Sequence, residues 1–239
     1  MNRLTLASAC LGLALALPHG ALAQKRDGQP TLAQLFTFDM LDVQVPFLER
    51  TLGPAKRVNR MGSGSEREYV VERCTVRARV ARDNSVMAYT LVLSPRCTTN
   101  LSDIFRQPLP TANVMTAGAL LRTGATVTIP CLVSCGNAAD PEGAVAWEGG
   151  RSNSLVDIVG RITFADSATL AAAGALKDRI QRERGEAYVV DERYNCEPRY
   201  REAAAEAFRN LTFTSITVGR GVAAELRAAT TRSCAPARR

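Results

Sequence analysis

The chain of 239 residues holds one histidine, His19, inside an apolar N-terminal segment that reads as an export signal. Beyond that segment there is none. The absence excludes a Ser-His-Asp triad, a Cys-His pair and a His-ligated metal from the expected chemistry. Lysine is almost as scarce: of 30 basic residues three are lysines (Lys25, Lys56, Lys177), which leaves 27 arginines. Neither Lys56 nor Lys177 has the Ser-x-x-Lys spacing of a Ser-Lys hydrolase. No glycine-rich phosphate loop follows a predicted strand, and Gly149-Gly150-Arg151 lacks the spacing of one. Aromatics make up 5% of the chain, with Trp147 the one tryptophan. After the N-terminal segment no stretch is long and apolar enough to predict a membrane span.

What is present starts with that segment. Arg3 supplies a positive start, Leu4 to Leu17 is an apolar run, and Pro18-His19-Gly20 breaks it. Ala21-Leu22-Ala23 is the small-x-small pattern that signal peptidase reads. Residues 1–23 are therefore expected to be a signal peptide, with Cys10 a small apolar residue of that signal. Residues 24–30 are expected to be flexible. The destination is periplasmic or secreted, and the Ala-rich, Arg-heavy composition points to a bacterial periplasm.

Six of the seven cysteines lie beyond residue 23. In an oxidising compartment they are expected as disulfides. Six cysteines allow 15 pairings. Spacing favours Cys74–Cys97, Cys131–Cys135 and Cys196–Cys234. A zinc site would want two close cysteine pairs, and only Cys131/Cys135 is close. That pair also lacks the two-residue spacing of thiol oxidoreductases. No cofactor and no metal are expected.

Charge is uneven. Without Arg3 there are 29 basic and 23 acidic residues, a net of +6. Arg50 to Arg96 carries ten basic residues against four acidic ones. A basic face attracts anionic partners.

Hydrophobic patterning predicts an α+β fold: antiparallel sheets with helices packed on one face, disulfide-stabilised, with two similar halves as an option. The halves are placed at 31–110 and 111–219, followed by a basic tail at 220–239. Thr31 to Phe38 reads as a short helix. Val45 to Leu52 reads as a stronger one, with Pro46 in its first turn and a stop at Gly53-Pro54. Met61 to Ser65 reads as a loop. Tyr69 to Ala81 alternates apolar and polar residues, turns at Asp83-Asn84 and returns over Val86 to Leu93. Asn113 to Arg122 reads as a helix capped by Asn113. Strands are expected at 125–133, 144–148, 155–164, 186–194 and 211–218. Helices are expected from Asp166 or Ser167 to Arg184 and from Pro198 to Asn210.

The order of helix, Leu52-Gly53-Pro54, loop and long hairpin resembles the outer-membrane assembly lipoproteins of the SmpA/OmlA (BamE) type and the related β-lactamase-inhibitor-protein fold. The likeness covers residues 45–97, with a weaker echo over 131–164. Pro54 directly after Gly53 departs from that family, as does the lack of a lipid-attachment cysteine. The resemblance implies a binding or assembly module whose working surface is a sheet face. It assigns no site residue.

The candidate binding residues are Arg73, Arg77 and Arg79 on the predicted hairpin, with Trp147. No catalytic residue is assigned. The expected function is that of an exported, non-catalytic binding or assembly protein of the cell envelope. Its partner would be an envelope protein or an anionic envelope component, and nucleic acid is not expected. One alternative is a glycan hydrolase using two carboxylates among Asp140, Glu142, Glu148 and Asp157, which need a defined separation. Another is an inhibitor-like protein capping a partner enzyme.

Overall fold

A computed structural model describes residues 30–133, 135 and 140–234. The expectations for the signal peptide, for residues 24–29 and for residues 235–239 of the tail lie outside the described residues. The described residues form an α+β fold around one eight-stranded antiparallel sheet.

The chain enters through helices α1 (Leu32–Leu35) and α2 (Val45–Leu52). Four strands follow as a meander: β1 (Arg57–Met61), β2 (Gly64–Val71), β3 (Cys74–Ala81) and β4 (Val86–Val92). Short helices α3 (Ser102–Phe105) and α4 (Ala117–Leu121) lead to a second meander of β5 (Thr126–Cys131), β6 (Glu142–Glu148) and β7 (Asp157–Thr163). Helices α5 (Ser167–Arg184), α6 (Glu186–Val190) and α7 (Pro198–Phe208) intervene before β8 (Ser215–Gly219) and a last helix, α8 (Val222–Thr230). The strand order is β1-β2-β3-β4-β8-β7-β6-β5. The two meanders are therefore joined through β8, which lies between β4 and β7, and the halves divided near residue 110 share one sheet.

Alternation decides the faces. Val76, Ala78, Val80, Tyr89, Leu91, Val127, Ile129, Val145, Ile158, Ile162, Ile216 and Val218 all enter the main core. Helices α1, α2, α4, α5 and α7 contribute Leu35, Leu48, Leu120, Ile180 and Phe208 to the same core. The opposite face, called the back face below, carries a smaller cluster of Ala88, Ala144, Ala146 and Val159 under Val222, Ala223 and Leu226 of α8.

Several expectations are corrected. Helices do not keep to one face, because α8 lies on the back. Residues 222–230 are thus a helix and not part of a loose basic tail. Arginines dominate a charge count there, but Val222, Ala223, Leu226 and Thr230 are buried at helical spacing. The 69–81 run is two strands, since Glu72 and Arg73 both take positive φ (50° and 68°) in a two-residue turn. Residues 57–61 form a strand that was not expected, and only Gly62-Ser63 remain as its turn. Residues 186–194 are not extended but hold helix α6 and the start of a 3-10 turn at Arg193: Tyr188 and Val189 are buried neighbours, and Tyr188 packs on Tyr200 of α7 at 5.9 Å. Burial there overrides the β-propensity of Tyr-Val-Val. The helix expected from Asn113 begins at Ala117, with Thr116 accepting from the Ala119 amide at 3.2 Å.

Three disulfides, Cys74–Cys97, Cys131–Cys135 and Cys196–Cys234, close the structure. The last ties a 3-10 turn at Arg193–Cys196 to another at Arg232–Cys234, so α8 is anchored at its far end.

Candidate functional site

The back face is only partly covered. Helix α8 shields β5 to β8, and a cleft of about 380 Å³ remains between its flank and strands β2, β3, β4, β8 and β7. The ladder builds its floor in rows. One row runs Glu66, Arg79, Ala88, Gly219, Asp157 and Glu148. The next runs Glu68, Arg77, Thr90, Thr217, Val159 and Ala146. A third brings Ser215 beside Arg161. Thr90 and Thr217 share a hydroxyl hydrogen bond of 2.8 Å where the two meanders meet.

Three guanidinium groups thus line one cleft: Arg77, Arg79 and Arg161. The walls are apolar, from Met61, Val222, Leu226 and Ala229. Arg161 is paired with Glu142, and Arg77 lies 3.6 Å from Glu68. Arg79 Nη1 donates to Glu225 Oε2 of α8 at 2.6 Å. Its Nε and Nη2 atoms are buried and meet no acceptor on the protein. Buried guanidinium donors without an acceptor are costly, so this group is set to take one.

Of the expected residues the structure brings Arg77 and Arg79 together and leaves the other two elsewhere. Arg73 sits in the β2–β3 turn. Trp147 alternates with Ala146 and so points to the helix side, where its ring packs on Phe105 at 4.5 Å. Sequence reasoning missed Arg161, Thr90, Thr217 and Glu225. The first had a signal: Ile158 and Ile162 on the core face place Arg161 on the other.

Of the four acidic residues of the hydrolase alternative, Glu148 and Asp157 are cross-strand neighbours on β6 and β7, and three of the four are engaged by other groups. Glu142 and Glu148 stand at opposite ends of β6, each paired with an arginine, Arg161 and Arg227. Asp140 is exposed. Asp157 is buried and accepts from the Ala223 amide at 3.1 Å, in the first turn of α8. It anchors that helix at one end as the Cys196–Cys234 bridge anchors the other.

Burial pushes the Asp157 carboxyl above the usual carboxylate range, against the pull of the backbone amides of Ala223, Gly149 and Gly221. The folded protein then holds this proton to higher pH than the unfolded chain does. The residue's contribution to stability is full below the unfolded value, roughly pH 4, and is lost as pH rises through the folded one. Asp157→Asn cannot titrate. Its stability relative to wild type should improve from pH 4 towards pH 7, measured by urea unfolding. Parallel pH profiles for the two proteins would contradict this account.

Another polar cluster is closed on itself. Glu183 and Glu197 are shared among Arg179, Arg184, Arg199, Tyr188 and Tyr200, which joins α5, α6 and α7. Among the described residues no group of His, Cys, Asp and Glu could hold a metal ion. Nor is any helix among them long and apolar enough to cross a membrane. Comparison with protein-family models, with curated proteins and with solved structures finds no match to this chain.

Proposed function

We propose that this chain is an exported, non-catalytic binding protein of the bacterial cell envelope. It holds an anionic group of its partner in the back-face cleft, on Arg79 and Arg77. The observation that carries the reading is Arg79, whose side chain lines the cleft and whose Nε and Nη2 donors are buried without a protein acceptor. A carboxylate or phosphate oxygen would satisfy that fork once a side-chain shift of Arg79 turns it into the cleft. The hydroxyls of Thr90, Thr217 and Ser215 offer neutral donors beside it. Three disulfides suit an oxidising compartment, which supports the export reading. The sheet face as working surface also agrees with the resemblance to envelope assembly modules.

Co-sedimentation with bacterial envelope fractions at low salt tests this. Arg77→Ser with Arg79→Ser should weaken binding at least about tenfold, the loss of one or two charge-assisted hydrogen bonds. Arg73→Ser should bind as wild type does. Glu225→Ala removes the internal acceptor on Arg79 Nη1 and should bind as well or better. Undiminished binding by the double variant, at low salt, would show the cleft is not the site.

A further inference from the structure

The two edges of the sheet are treated differently. On β5 the edge is closed. The Asn195 side chain accepts from the Ile129 amide at 3.1 Å and donates to the Ile129 carbonyl at 2.8 Å, as a paired strand would. The Tyr194 hydroxyl accepts from the Leu132 amide at 3.1 Å. A register shift between Thr128 and Cys131 further breaks that edge. Strand β1, at the other end of the sheet order, has none of these devices. Its five residues are all exposed and its ladder with β2 is regular from Arg57↔Glu68 to Met61↔Gly64.

The register says which groups are free. Met61 and Gly64 close a two-residue turn, so Met61, Asn59 and Arg57 exchange hydrogen bonds with β2. The N–H and C=O groups of Val58 and Arg60 therefore point away from the sheet. An edge of this kind is a template for another strand unless it is blunted. The charge of residues 56–61 themselves is of one sign: Lys56, Arg57 and Arg60 are in no ion pair among the described residues, while Glu66, Arg67 and Glu68 lie one strand inward on β2. Arg57 lies on the back face with Asn59 and Met61, and Arg60 on the helix face with Val58.

We infer that β1 is a docking edge for an acidic extended segment of a partner protein, which adds a ninth strand outside it. Main-chain hydrogen bonds to Val58 and Arg60 supply affinity, and acidic side chains on both faces of the added strand meet Arg57 and Arg60. A second copy of this chain is the wrong occupant. Two β1 strands side by side would bring their Lys56, Arg57 and Arg60 together, and like charges across a ladder repel. The inference is independent of the cleft, since none of Lys56, Arg57 and Arg60 lines it.

The probe is an acetylated, amidated octapeptide of sequence Glu-Glu-Val-Val repeated twice, with its Lys-for-Glu counterpart as control. Calorimetric titration of the whole protein should show the acidic peptide binding and the basic one not. Val58→Pro deletes an outward N–H without touching the β1–β2 hydrogen bonds, and should weaken the acidic peptide at least tenfold. Asn59→Pro deletes an inward N–H and serves to show what loss of β1 itself does. Arg57→Glu with Arg60→Glu should reverse the preference to the basic peptide. Equal binding of both peptides, indifference to Val58→Pro in a protein with a wild-type melting curve, or a wild-type dimer abolished by that substitution would each overturn the inference.

Discussion

Replacing Cys196 and Cys234 together by serine should cost about 4 kcal/mol of stability, the entropic value for a loop of the 38-residue separation between them. Urea unfolding under non-reducing conditions measures it. The bridge encloses α7, β8 and α8, and β8 is the strand that joins the two meanders. The same model gives about 3 kcal/mol for Cys74–Cys97 and about 2 for Cys131–Cys135, whose separations are 23 and 4 residues. The three serine pairs should therefore rank in that order. A Cys196/Cys234 variant as stable as wild type would mean that α8 holds its place by Asp157 and its apolar face alone. The expected loss also has a local signature. Amides of α8 should exchange faster in this variant than in the other two, because only this bridge anchors that helix.

The legible parts of this fold are those where a local pattern agrees with the tertiary environment. Asp83-Asn84 turns the chain between β3 and β4 because the Asp83 carboxylate accepts from Ser85 at 3.0 Å and Asn84 takes φ of 64°. That turn pairs Val80 with Val86, and a bulge at Met87 then shifts the ladder to Arg79↔Ala88 through Val76↔Leu91, a register that brings Cys97 within reach of Cys74. Helix α5 shows both its ends, at the Asp166 cap and the Gly185 stop. Helix α8 was hidden for the opposite reason. Its packed face is only Val222, Ala223 and Leu226, too few apolar residues to weigh much in a pattern, and the small residues that let it approach, Ala88, Ala144 and Ala146, are on the sheet. The cleft was hidden with it, since α8 supplies Val222, Glu225, Leu226 and Ala229 of its lining. Alternation could place Arg77 and Arg79 on a common face. It could not show that β8 enters between β4 and β7 and adds Thr217 to the same floor.

That central seam makes one small residue critical, and the same substitution at two glycines should have opposite signs. Gly219 pairs with Ala88 on one side and Asp157 on the other. A Cβ there would stand 2.4 Å from the Ala88 Cβ, 2.8 Å from the Met87 carbonyl oxygen and 3.0 Å from the Ala88 Cα. None of these is the end of a flexible side chain, so β4 and β8 would have to separate, or the seam to slide. Gly219→Ala should cost about 3 kcal/mol, the upper part of the range for overpacking. Gly174 lies inside α5, and a Cβ there meets nothing within 4 Å. Gly174→Ala should stabilise by about 0.5 to 1 kcal/mol, through helix propensity. Paired urea curves compare the two directly. The Gly219 variant should also lose affinity for envelope fractions, because the row it disturbs contains Arg79. A Gly219→Ala protein that unfolds at the wild-type midpoint would show that the two meanders are not held at this distance by their backbones, and the close seam between β4 and β8 would have to be abandoned.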